Sequence, residues 1–118
     1  MELSKQVVGL PIAKRLKELG VKQKSLFYHT LDLELGVVGH DIYQACINEP
    51  DDEFFSAFTV AELGEMLPPG IKTAKQEGKN KWICWEGPIV GADTEADARG
   101  KMLIYLIEQK FYDPTGQN

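Results

Sequence analysis

The chain has 118 residues, 43% of them apolar and 26% charged, and its 18 acidic residues against 13 basic ones give a formal net charge of −5. That length suits one domain with its own core, so neither a disulfide framework nor a structural metal is required. The acidic balance argues against broad electrostatic binding to a phosphate backbone, which needs a surplus of Lys and Arg.

Cys46 and Cys84 lie far apart, which reads as an intracellular, cytoplasmic chain rather than a disulfide scaffold. The opening MELSKQVVGLP has neither the apolar core nor the cleavage site of a signal peptide. The longest apolar run, MLIYLI, is far too short to cross a bilayer, so no membrane partner is expected. The expectation is one domain over 1–118, with 113–118 as a flexible tail.

In chain order, LPIAKRLKELG comes first. Ile12, Leu16 and Leu19 recur at helical spacing, Pro11 fits a first turn, and Gly20 suits a left-handed stop. This predicts a helix over 10–19. Next, SLFYHTLDLELGVVGHDIYQACI is rich in aromatic and β-branched residues. Leu31, Leu33 and Leu35 alternate with Asp32 and Glu34, so strands are expected over 25–34 and 41–47. NEPDDE reads as an acidic loop. In FTVAELGEMLPP, Thr59 and Glu62 make a capping box, and Val60, Leu63, Met66 and Leu67 make one apolar face. Pro68 and Pro69 end that helix. EGKN then separates two extended runs, 71–75 and 81–86, as a β-hairpin. GPIVGADTE reads as the lead into the last helix.

That helix, DTEADARGKMLIYLIEQKFY, is capped by Asp93 or Thr94. Its apolar residues cover most of the circumference, and the plainly polar sector holds Asp97, Lys101 and Glu108. Gly100 falls inside the apolar sector. So wide an arc must be covered on more than one side. Either the helix lies across a sheet with the other two helices on its flanks, or Met102, Tyr105 and Leu106 face a second copy or a protein partner.

Three blocks, AKRLKELGVKQKSLFYH, FTVAELGEMLPPGI and DTEADARGKMLIYLIE, resemble a group of short proteins encoded in bacteriophages and prophages. The resemblance covers most of the chain outside the acidic loop and the tail. It departs from the pattern at Gly100, where Ala is usual. What it implies is a mobile-element origin. It implies no activity, and no catalytic residue carries over.

Among groups that could carry chemistry, His29, His40, Cys46 and Cys84 lack the close spacing of a zinc site. A Cys–His hydrolase has no local support, and the phosphate-cradling and nucleophile-elbow motifs are absent. No catalytic residue, metal or cofactor is therefore expected. Trp82 and Trp85, with Lys79 and Lys81 beside them, are the candidate ligand-binding residues. Aromatics and lysines on a hairpin can also track single-stranded nucleic acid. The acidic run Asp51–Glu53 is ordinary solvated surface rather than a mimic of DNA.

The sequence thus predicts an α+β domain: a small, mainly antiparallel sheet built of β-hairpins, with about three helices packed against it. The first functional expectation is a non-enzymatic interaction protein of phage or prophage origin that binds a host or phage macromolecule. The alternative is a small-ligand or single-stranded nucleic-acid binding module using the 71–86 hairpin.

Overall fold

The computed structural model describes residues 3–30, 36–39, 41, 43, 54–68, 71–75, 82–85 and 89–110, with backbone alone for Leu3, Ser4, Cys84 and Trp85. A helical turn (Leu3–Gln6) precedes helix α1 (Leu10–Glu18). Strands β1 (Phe27–Thr30), β2 (Val37–Gly39) and β3 (Phe54–Ser56) follow, then helix α2 (Val60–Met66). Strands β4 (Lys72–Lys75), β5 (Trp82–Trp85) and β6 (Ile89–Ala92) lead into helix α3 (Glu95–Glu108). The class is α+β, with antiparallel strands and, among the described residues, three helices of more than one turn, as expected. The strands form two three-stranded sheets rather than one, ordered β2-β1-β3 and β4-β5-β6. Among the described residues, no helix is long and apolar enough to cross a membrane.

The helix ends follow from their residues. Pro11 occupies the first turn of α1, and Ala13 and Leu16 are buried. Gly20 takes a φ of 93°, a conformation costly for any residue with a Cβ. Two hydrogen bonds then close the helix: Gly20 N–H to the Lys17 carbonyl (3.0 Å) and Val21 N–H to the Leu16 carbonyl (3.1 Å). This is a Schellman closure, and Val21 and Leu16 share its apolar contact in the core. At α2 the capping box is present. The Thr59 side chain accepts from Glu62 N–H (3.2 Å), and Glu62 Oε1 accepts from Thr59 N–H (2.9 Å). Glu62 Oε2 accepts from Leu26 N–H (3.1 Å), so the same carboxylate also ties down the entry to β1. Leu67 is extended, with ψ 144°, as a residue before proline should be.

In the first sheet, β1 is central. Register pairs Tyr28 with Val38 and Ser56, and His29 with Val37 and Phe55. Paired residues share a face, so the sheet separates two apolar clusters. On the His29 face, Phe55 joins the main core. The Lys17 ammonium lies 4.8 Å from the Phe55 ring centre and donates to the Phe54 carbonyl at 3.1 Å. His29 Nε2 donates to the Val8 carbonyl at 2.6 Å. On the other face, Tyr28, Val38 and Phe54 form a smaller cluster with Tyr43. The Tyr43 ring stacks on Tyr28 at 3.8 Å and meets Phe54 edge-on at 5.2 Å.

Of the expected strand over 41–47, only Asp41 and Tyr43 are described, and both are helical. Tyr43 lies on the sheet instead of extending it, which corrects that expectation at those two positions. Of the expected strand over 25–34, residues 27–30 are strand, and 31–35 lie outside the described residues. Three strands, β2, β3 and β6, were not expected. The turn of the 71–86 hairpin and the expected tail lie outside the described residues.

Helix α3 organises the molecule. It packs across β4, β5 and β6, with α1 and α2 against its flanks. Ala96, Ala98, Gly100, Met102 and Leu103 are fully buried, and Leu106 nearly so. A Cβ on Gly100 would meet Ile12 Cγ2 at 2.8 Å and Val8 Cγ1 at 2.9 Å, closer than real Cβ atoms come. Each residue of the polar sector is also tied to another element. Asp97 Oδ1 accepts from Gly9 N–H at 2.7 Å. Lys101 Nζ donates to the Gly91 carbonyl at 2.9 Å, and Glu108 lies 3.8 Å from Arg15. The wide apolar arc is thus covered inside the chain. Met102 and Leu106 are buried in the chain's own core, which removes them from any partner surface. Of the three residues expected at an interface, Tyr105 alone keeps partial exposure.

Two substitutions check this packing by chemical denaturation. Leu103→Ala removes a fully buried side chain and should cost about 2–5 kcal/mol. Gly100→Ala should gain about 1 kcal/mol of helix propensity but lose about 1–3 kcal/mol to overpacking against two branched side chains. A net loss is expected, and a gain in stability would show that α1 and α3 are not held this close.

Candidate binding cleft

A cleft of about 970 Å³ opens where four segments meet. The helical turn supplies Lys5. The start of α2 supplies Thr59 and Val60. The β4–β5 pair supplies Lys75 and Trp82. The approach to α3 supplies Asp93, Thr94 and Glu95. Each segment is placed by a local rule. Thr59 and Thr94 are N-caps, which turn the chain sharply into helix and leave the capping residues at the surface. An isolated bridge between Val7 and Thr59, with Val8 N–H bonded to the Phe58 carbonyl at 3.0 Å, holds the helical turn beside the start of α2.

Sheet register places the aromatic and the lysine together. Lys75 pairs with Trp82, and Trp82 pairs with Ala92, so all three share the face that meets α3. Ala92 is buried under the helix, Trp82 is half-buried against the core, and Lys75 is exposed at the edge. The opposite face carries Ala74, Ile83 and Ile89 by the same register. Ile89 is 70% exposed there.

The electrostatics of the cleft are not what its list of charges suggests. Glu95 Oε2 is engaged from two sides: Thr73 Oγ1 donates to it at 2.9 Å, and Arg99 approaches at 3.0 Å. Arg99 Nη2 also donates to Thr73 Oγ1 at 3.0 Å, which closes a three-membered polar network between β4 and the first turns of α3. Gly64 faces this network. A Cβ there would lie 2.6 Å from Arg99 Nη1. Among the described residues, Lys5 and Lys75 make no ion pair or hydrogen bond.

Of the expected ligand-binding residues, Trp82 lies in the cleft. Lys79 and Lys81 are outside the described residues. Trp85 is described by backbone only, paired with Lys72 and Ile89. Sequence reasoning missed Lys5, Glu95 and Arg99 as a group. The signals were thin: Glu95 and Arg99 stand four apart on a helix, and Lys75 and Trp82 flank a predicted turn. Among the described residues, no three His, Cys, Asp or Glu side chains are grouped to hold a metal ion. His29 is committed to the Val8 carbonyl. His40 and Cys46 lie outside the described residues, as does the Cys84 side chain.

Thr73→Val tests the network. It removes two hydrogen bonds but leaves the Glu95–Arg99 pair, and should lower stability by about 1 kcal/mol in denaturant titration. An unchanged midpoint would mean that the hydroxyl does not bridge the strand and the helix.

Comparison of the chain with protein-family models, with curated proteins and with solved structures finds no match, so the cleft is read from its own residues.

Proposed function

We propose that the protein is a non-enzymatic binding module of the cytoplasm whose recognition site is the cleft at Trp82. The observation that carries this reading is the register of the β4–β5 pair. It sets a half-buried indole beside a lysine with no partner among the described residues, at the mouth of a cleft whose volume is in the range that holds small ligands. Trp82 and Val60 offer apolar surface, while Thr59, Thr94 and the charged residues offer orienting groups. This favours the small-ligand alternative over single-stranded nucleic acid, because the aromatic and the lysine meet in a concavity and not along an open face.

A second reading, an interaction protein of phage or prophage origin acting on a macromolecule, is supported by the motif resemblance. The outward face of β4-β5-β6 favours it too, since Ile89 is largely exposed there and the half-buried Ile83 and Ala74 share that face. Apolar side chains that share a solvent-facing sheet face are a feature of interaction surfaces.

Two-dimensional ¹⁵N–¹H spectra of the full chain, recorded against a panel of ring-containing fragments, test the first reading. Binders should move the Trp82 indole N–H together with the amides of Val60, Lys75 and Thr94. Fragments that shift only Ile83 and Ile89 would move the site to the outward sheet face.

A further inference from the structure

We propose that the ligand of this cleft is an aromatic anion, a planar ring bearing a carboxylate or phosphate group. The ring would lie against Trp82 and the acidic group would reach Lys5 and Lys75. The inference rests on the cleft being a binding site. Among the described residues, four charged side chains line it: Lys5 and Lys75, Asp93 and Glu95. Counted formally they cancel. They do not cancel physically, because the Glu95 carboxylate is satisfied by Arg99 at 3.0 Å and by the Thr73 hydroxyl at 2.9 Å. The Glu95 and Arg99 side chains are only 25% and 24% exposed, so the pair is partly shielded from solvent. What remains to meet a ligand is two lysines without partners among the described residues, against one exposed carboxylate, Asp93. In a chain of net charge −5 this is a local cationic site, and charge of one sign inside a concavity selects ligands of the other.

Arg99 is then a positioning residue. It does not line the cleft, but it withdraws the Glu95 charge from it. Gly64 makes room for the guanidinium, since a Cβ there would lie 2.6 Å from Nη1. Without Arg99, Glu95 keeps only the Thr73 hydroxyl, its charge offsets that of the lysines, and the preference for anions is lost.

The test titrates the full chain at low salt with phenyl phosphate, benzoate, benzyl alcohol and benzylammonium. Binding is read at the Trp82 indole N–H, assigned with Trp82→Phe, and by calorimetry. One or both of the anions should bind at least about ten-fold more tightly than benzyl alcohol. Whichever anion is tighter assigns the acidic group as phosphate or carboxylate. Lys75→Met, at an exposed position, should remove most of that advantage and leave benzyl alcohol unaffected. Arg99→Gln should weaken the anions and strengthen benzylammonium, opposite shifts that general loosening of the fold would not produce. Equal binding of benzyl alcohol and the anions, or preference for benzylammonium by the unmodified chain, would overturn the anion inference and leave the binding reading standing. No movement of the Trp82 resonance with any of the four would overturn the binding reading itself.

Discussion

The close approach of α3 to the Val8–Ile12 segment is the constraint on which the rest of the structure depends. Gly100 has no side chain, and Val8 and Ile12 fill the space that one would take. Three distant residues then hold the same short segment: Phe58 takes the Val8 N–H, His29 donates to the Val8 carbonyl, and Asp97 takes the Gly9 N–H. The last bond joins residues 88 apart in sequence. It also satisfies a backbone donor at the start of α1, where no side-chain cap is present. Helix ends leave such donors without partners, and a carboxylate brought from α3 fills the role that the third helical residue of a capping box usually fills. Because α3 also lies across β4-β5-β6, fixing it against Val8 and Gly9 fixes the second sheet relative to α1.

The cleft is a consequence of that arrangement. Its walls are the starts of α2 and α3 and the first helical turn. These lie together because Val7 bridges to Thr59 and Asp97 reaches Gly9 within the first turn of α3. Its remaining wall is the edge of the second sheet, placed by α3 packing on the sheet face that carries Trp82, Val90 and Ala92. The apolar arc of α3 is therefore satisfied by covering from several sides, and the cleft is left where the covering elements begin.

What was legible in the sequence was local. The Thr59–Glu62 capping box, the Gly20 stop, the Pro68 stop, the hairpin from 71 to 86 and the Thr94 cap are contained within a few residues, so short spacing reveals them. Strand β3 was hidden because its three residues are all buried and show no alternation. Strand β6 was hidden because two of its four residues are Gly91 and Ala92, which carry little β-propensity. Its strand character comes from pairing with β5. The division into two sheets could not be read either, since it depends on β3 returning to the side of β1. For the cleft, the Trp82 side of the hairpin was legible. The contributions of Lys5 and Arg99 were not, because tertiary contacts bring them there.

Asp97, Lys101 and Glu108 show why a helical wheel misjudges a helix of this kind. On the wheel they are the solvent side of α3. In the fold, Asp97 meets α1, Lys101 meets the edge of β6, and Glu108 meets Arg15. The three ties differ in strength for a physical reason. The Asp97 bond is charge-assisted, partly buried and 2.7 Å long, so it belongs to the stronger class of hydrogen bonds. Lys101 makes an exposed bond to an edge carbonyl, which blunts the open side of β6 against pairing with another chain. Glu108 and Arg15 are each 44% exposed and 3.8 Å apart, and solvent screens most of their attraction. Order along the polar stripe should therefore be greatest at the first turn of α3, the end that borders the cleft, and least at the last. A wheel sees charge and infers solvent, whereas burial, partner and distance decide which of those charges hold the fold.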